Sequence, residues 1–98
     1  MKQQKLDRQE ILNRLQTLDS WALDAEESGI TRTFRFTTFA RAFTFMTECA
    51  FAAETLNHHP EWFNVYSRVD VRLTTHDAGG LSALDFKLAA IMDKAARV

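Results

Sequence analysis

Glu54-Thr55-Leu56-Asn57-His58-His59-Pro60-Glu61-Trp62-Phe63-Asn64-Val65-Tyr66 is the joint at which this chain changes period. Upstream, apolar residues recur at helical spacing from about Thr38 to Leu56. Downstream, Val69, Val71 and Leu73 alternate with Asp70, Arg72 and Thr74, the period of a strand. The Pro60 ring disfavours the helical region at His59, so the helix is expected to end at or just before that residue. Trp62 to His76 then reads as a short strand and a longer one, turned near Ser67-Arg68. Working towards the N-terminus, Ile30-Thr31-Arg32-Thr33-Phe34-Arg35-Phe36 is a strand with Ile30, Phe34 and Phe36 on one face, where Arg32 is the imperfection. Ser20-Trp21-Ala22-Leu23 reads as its partner, joined around Ser28-Gly29. Before it, Asp7 and Glu10 form a capping-box-like pair ahead of a stripe of Leu6, Ile11, Leu12, Leu15 and Leu18. Towards the C-terminus, Asp77-Ala78-Gly79-Gly80 is a loop, and Ser82 opens a last helix with Leu84, Leu88, Ile91 and Met92 inward. The order αββαββα, without long crossovers, predicts an α+β fold: a four-stranded antiparallel sheet with three helices packed on one face, as one domain over residues 1–98.

The helix from about Thr38 to Leu56 is more apolar than one sheet contact requires. Phe39, Ala42, Phe43, Phe45, Met46, Cys49, Ala50, Ala52, Ala53 and Leu56 spread over roughly half its circumference, and Phe51 lies outside even that arc. The excess points to a second burial partner, most simply another copy of the chain. The alternative, a core helix wrapped on all sides, asks for more material than 98 residues supply.

A net charge of −1, with no extended run of Lys or Arg, predicts no direct binding to nucleic acid or anionic membrane. Apolar content of 46%, including eight Phe and two Trp, supports a core, and three Gly with one Pro argue against disorder. The single Cys49 excludes an internal disulfide and, inside an apolar helical run, reads as a buried thiol. No signal peptide and no apolar run of about 20 residues are evident, so a cytoplasmic protein is expected.

All three histidines fall in or after the joint: His58, His59 and His76. Imidazole is the side chain best suited to give and take protons near neutrality. Glu54 and His58 are four apart, so a continuing helix would set them on one face, the carboxylate orienting the ring. Placement in the last turn, beside unpaired carbonyls, would further favour imidazolium, as suits a proton donor. His59 begins the extended segment and should point elsewhere, while His76 ends a strand beside the Gly-Gly loop. Trp62, Phe63 and Tyr66 offer flat surface for a planar ligand. Plainer readings stand beside these: His58 as a helix cap, Trp62-Phe63 as core, or zinc held by the histidines with Glu54. Zinc is disfavoured because no spacing such as His-Glu-x-x-His occurs and Cys49 reads as buried. The residues alone leave open a histidine acid–base enzyme and a non-catalytic binding or oligomerisation module.

Glu54-x-x-x-His58-His59-Pro60-x-x-x-x-x-Tyr66, then nine residues to His76 and eight more to Asp85, resembles the signature of the pterin-4a-carbinolamine dehydratases. Phe39-Ala40-Arg41-Ala42-Phe43-x-Phe45-Met46, Thr75-His76-x-x-Gly79-Gly80-Leu81-Ser82 and Trp21 extend the resemblance over about residues 7–96. It implies loss of water from 4a-hydroxytetrahydropterin to give quinonoid dihydropterin, in recycling of the cofactor of aromatic amino acid hydroxylases. It also implies that no metal or other cofactor is needed. By position, His58, His59 and His76 match the family's active-site histidines and Glu54 its adjacent acid. The expected division is His58 and His76 as the acid–base pair, Glu54 orienting His58, and His59 binding the pterin. Pro60, Glu61, Trp62, Thr75, Trp21 and Asp85 are the further substrate-side candidates. Asp85 has a simpler local role, since Ser82-x-x-Asp85 is a capping-box pair, and Trp21 is equally a core residue. The family implies homodimers joined at sheet edges and homotetramers through the 38–56 helix. Animal members also act as dimerisation cofactors of a homeodomain transcription factor, which the resemblance allows here.

Overall fold

In the computed structural model, which describes residues 3–97, the Asp7 carboxylate accepts from the Glu10 amide at 2.9 Å and opens α1 (Arg8–Leu15). The Glu10 side chain returns the bond to the Asp7 amide at 3.3 Å, completing the expected capping box. A chain with this order of elements follows: β1 (Ala22–Leu23), β2 (Ile30–Arg35), α2 (Phe39–Leu56), β3 (Glu61–Val65), β4 (Arg68–Leu73) and α3 (Ala83–Ala96), with a 3₁₀ turn at His76–Ala78. The four strands form one antiparallel sheet in the order β1-β2-β4-β3. β1 is shorter than its sequence suggests, because Ser20 adopts a left-handed φ of 65° and Trp21 turns into the core. The β3–β4 turn falls one residue earlier than expected, at Tyr66-Ser67, where Tyr66 takes φ 50°.

One face of the sheet carries Ile30 and Phe34 of β2 and Val69, Val71 and Leu73 of β4, all buried under the helices. Arg32 shares that face and is not an imperfection once α3 is in place. Its guanidinium pairs with the buried Asp93 at 2.6 Å and lies 4.3 Å from the centre of the Phe34 ring. Trp21 donates its indole N–H to the same carboxylate at 2.7 Å. On α3 the buried set is Phe86, Leu88, Ala89 and Met92, with Leu84 and Ile91 only half-buried. Phe86 and Ala89 displace those two from the expected inward stripe.

α2 settles the question of its apolar excess residue by residue. Ala42, Phe45, Cys49 and Ala53 form the stripe that faces the core. Phe45 lies 4.6 Å from Phe34 and 5.0 Å from Phe36, ring centre to ring centre. Cys49 is fully buried, and that burial together with the charge of Glu48 pushes its thiol up to about 12. Phe39, Phe43 and Phe51 remain exposed, Phe51 by 73%. Among the described residues no helix is long and apolar enough to cross a membrane.

Candidate active site

The geometry of the site begins with how α2 ends. The helix stops at Leu56, and Asn57 adopts the left-handed conformation with φ 50° and ψ 46°. Its amide and that of His58 bond back to Glu54 and Ala53 carbonyls at 3.1 and 3.0 Å, closing the last turn in the manner of a Schellman cap. The stop is therefore made by Asn57, three residues before Pro60, and His58 lies outside the helix. This overturns the expectation that Glu54 and His58 share a helical face and that His58 sits in the last turn. The left-handed residue swings His58 inward, where only 8% of it is exposed. Glu54 instead meets His59, carboxylate to Nε2 at 3.0 Å, both at the surface.

The partner of His58 is Asp85, whose Oδ1 is 2.5 Å from the ring Nε2. Asp85 is fully buried in the first turn of α3. Its Oδ2 accepts from the Ser82 amide at 2.9 Å, the capping-box bond read from the sequence, and from the Thr75 hydroxyl at 2.8 Å. A carboxylate only accepts, so Thr75 donates to it, and the Ser82 hydroxyl donates to Thr75 across 2.7 Å. Each donor in this network is satisfied, which is what a buried carboxylate requires. The same side chain is thus a helix cap through one oxygen and the orienting acid of His58 through the other.

His58, His59 and His76 line one cleft of about 220 Å³ together with Asn57, Thr74, Thr75 and Asp77. Thr75 ends the sheet, paired with Gly80 by amide–carbonyl bonds of 2.9 and 3.3 Å, so the 3₁₀ turn that carries His76 is pinned at its base. The left-handed Gly79, φ 75°, closes that turn. His76 itself is 88% exposed and its Nε2 lies 3.5 Å from Glu61 Oε2. Glu61 and Trp62 begin β3, and Trp62, half-buried, faces the same side as Val71. Pro60 is half-buried in the link between His59 and β3. Trp21 is not part of the cleft lining; its indole is committed to Asp93 and its ring packs edge-on against Phe34 at 5.9 Å.

A wider hollow of about 500 Å³ lies on the sheet, lined among others by Thr31, Thr33, Phe63, Asp70 and Arg72. No histidine lines it, whereas all three line the smaller cleft. The two hollows adjoin at Glu61, which lines the larger and meets His76 of the smaller. Among the described residues, no three His, Cys, Asp or Glu side chains stand close enough to hold a metal ion.

The residues that sequence reasoning passed over are Arg72 and the turn that holds it. Arg72 bonds to Asp24 at 2.9 Å, to Ser28 Oγ at 3.1 Å and to Glu61 at 3.2 Å. Burial alone would raise the Asp24 carboxyl. The Ser28 amide, the Arg72 guanidinium and the Gly29 amide outweigh it and hold Asp24 below its ordinary range. Arg72 is likewise penalised by burial, and its bonds to Asp24 and Glu61 push it above its ordinary value. The only signal in the sequence was an arginine alternating with valines on a strand, which reads as a solvated face.

An α+β domain with a cleft of three histidines, one backed by a buried carboxylate, has the parts of a small acid–base protein. The chain belongs to the family described as Pterin 4 alpha carbinolamine dehydratase, whose sequence model matches residues 4–95. A relative from Rhizobium meliloti (strain 1021), described as a pterin-4-alpha-carbinolamine dehydratase, is 62% identical over 98% of this chain and 92% of its own length. One from Sinorhizobium medicae (strain WSM419), described in the same way, is 59% identical over 98% of this chain and 91% of its own. A crystal structure of a transcriptional coactivator/pterin dehydratase from Brucella melitensis superposes with a TM-score of 0.92 at 46% identity, covering 94% of this chain and 98% of the other. A pterin dehydratase-like protein identified as a RuBisCO assembly factor in the alpha-carboxysome shares the fold, with a TM-score of 0.69 at 22% identity over 79% of this chain and 89% of the other.

Proposed function

We propose that this chain dehydrates 4a-hydroxytetrahydropterin to quinonoid dihydropterin, in the recycling of a tetrahydropterin used by a hydroxylase. The observation that carries the reading is the 2.5 Å contact between His58 and the buried Asp85 at the wall of a cleft that also holds His59 and His76. Elimination breaks the C4a–O bond and the N5–H bond. The electron pair of N5–H becomes the second bond of C4a=N5, and the hydroxyl leaves as water once protonated. The reaction therefore needs one acid at the departing oxygen and one base at N5. His58 is the acid, its ring held in place by Asp85. His76 takes the N5 proton, and the Glu61 carboxylate offsets the charge that forms on it. His59, oriented by Glu54, contacts the pterin from the outer side of the cleft, with Asn57, Thr74 and Thr75 completing its walls.

The test is stopped-flow dehydration of a freshly generated carbinolamine. The wild-type chain is expected to accelerate the reaction, and His58→Ala to lose about 10²–10⁴-fold in kcat. Turnover by the wild type no faster than in buffer would sink the proposal, and full activity in His58→Ala would sink the assignment of the acid.

Exposed Phe39, Phe43 and Phe51 on α2 support a second reading, compatible with the first. Those rings form a surface for α2 of another copy, giving a tetramer when sheet edges join pairs, or for a transcription factor of the kind a coactivator would contact.

A further inference from the structure

We propose that Arg72 is a positioning residue for His76, acting through Glu61; this rests on the dehydratase reading given above. His76 is 88% exposed, so packing does little to fix its ring. Among the described residues, the carboxylate it pairs with is that of Glu61, at 3.5 Å from Nε2. Glu61 is itself about half exposed and would not hold a ring by itself, because an isolated surface pair contributes little. Its other oxygen, however, is gripped by Arg72 Nη1 at 3.2 Å. Arg72 is in turn locked on its far side, with Nε on Asp24 at 3.0 Å and Nη2 on Asp24 and Ser28 at 2.9 and 3.1 Å.

The turn from Asp24 to Gly29 that supplies these partners is rigid for independent reasons. Asp24 Oδ1 accepts the Ser28 amide at 3.0 Å, the Asp24 amide bonds to the Gly29 carbonyl at 2.9 Å, and Thr74 fastens the Ser28 carbonyl to the end of β4 at 2.6 Å. Gly29 has a specific reason to lack a side chain: a Cβ there would stand 2.8 Å from the Arg72 guanidinium. The turn is shaped around that guanidinium. The chain of contacts runs from a fixed turn through a forked cation to a carboxylate whose second oxygen faces the base. Arg suits the middle place because its planar fork reaches Asp24 and Glu61 at once, which a lysine ammonium does not. With Nε2 on the Glu61 side at 3.5 Å, Nδ1 is the nitrogen left to take a proton.

Two measurements decide it. Nuclear relaxation of the imidazole C–H groups reports ring order independently of activity. The His76 ring is expected to be ordered in the wild type and to become mobile in Arg72→Met and in Glu61→Gln, with His58 unaffected because Asp85 holds it. Gly29→Ala, which displaces the guanidinium without removing it, should loosen the ring in the same way. Kinetically, Arg72→Met should lower kcat roughly tenfold with KM little changed, as loss of an outer partner of a working imidazole does. Arg72→Lys should not restore it. The double variant Arg72→Met/Glu61→Gln should lose no more than Glu61→Gln by itself, since both act on one contact. A His76 ring equally ordered in Arg72→Met, or losses that multiply in the double variant, would overturn the proposal. A wild type without dehydratase activity refutes the function instead, and ring relaxation still decides the positioning.

Discussion

Asp85 shows how one side chain holds two roles that look exclusive in the sequence. Ser82 three residues before it is a sufficient reason for an acid at that position, and the capping box does form. The cap uses Oδ2, and Oδ1 is left pointing at His58. Asp85→Asn separates the roles. The amide oxygen can still accept from Ser82 and Thr75, but its NH₂ would then face His58 Nε2 and force the opposite tautomer. The expected outcome is a kcat lowered by about 10²–10⁴-fold, as in other carboxylate–histidine pairs, with a stability loss of only about 1–2 kcal/mol by thermal melting. Glu54→Gln, on a side chain 79% exposed, should cost less than about tenfold. Equal losses in the two variants would return Glu54 to the place first expected for it.

At the scale of elements, the end of α2 decides the site. Pro60 announces a helix end and leaves its position open by several residues, because its steric effect reaches only His59. Asn57 fixes the end by taking a left-handed conformation that Asn tolerates better than most residues. Replacement by Gly is therefore expected to leave stability and dehydration unchanged or slightly improved. Replacement by Ala should cost about 1 kcal/mol and also lower activity, because relief of the strained φ would rotate His58 away from Asp85. The measurement is a denaturant midpoint beside the kinetic assay. Similar behaviour of Ala and Gly at this position would contradict the argument.

For the whole molecule, the apolar excess of α2 is divided between the core and the surface. Phe45 belongs to the core, against Phe34 and Phe36. Phe39 and Phe43, 5.7 Å apart, and Phe51 are left over. Sedimentation of Phe43→Asp is expected to show a smaller assembly than the wild type at equal concentration, with the monomer fold intact by circular dichroism. Phe45→Asp should instead unfold the chain, since removing a buried Phe costs about 3–5 kcal/mol before any charge is buried. An assembly unchanged by Phe43→Asp would exclude α2 as the contact between copies.

The sequence by itself determined the element order, both capping boxes, the faces of β2 and β4 and the buried Cys49. These follow from local chemistry and periodicity, which act within a few residues. Only the tertiary structure decided which carboxylate serves which imidazole. Asp85 and His58 are separated by 27 positions, and Arg72 reaches Asp24 across 48. Such pairings depend on how β4 and α3 bring distant residues together and on one left-handed residue at the end of α2. No pattern along the chain encodes them, because the bonds form between elements rather than within one.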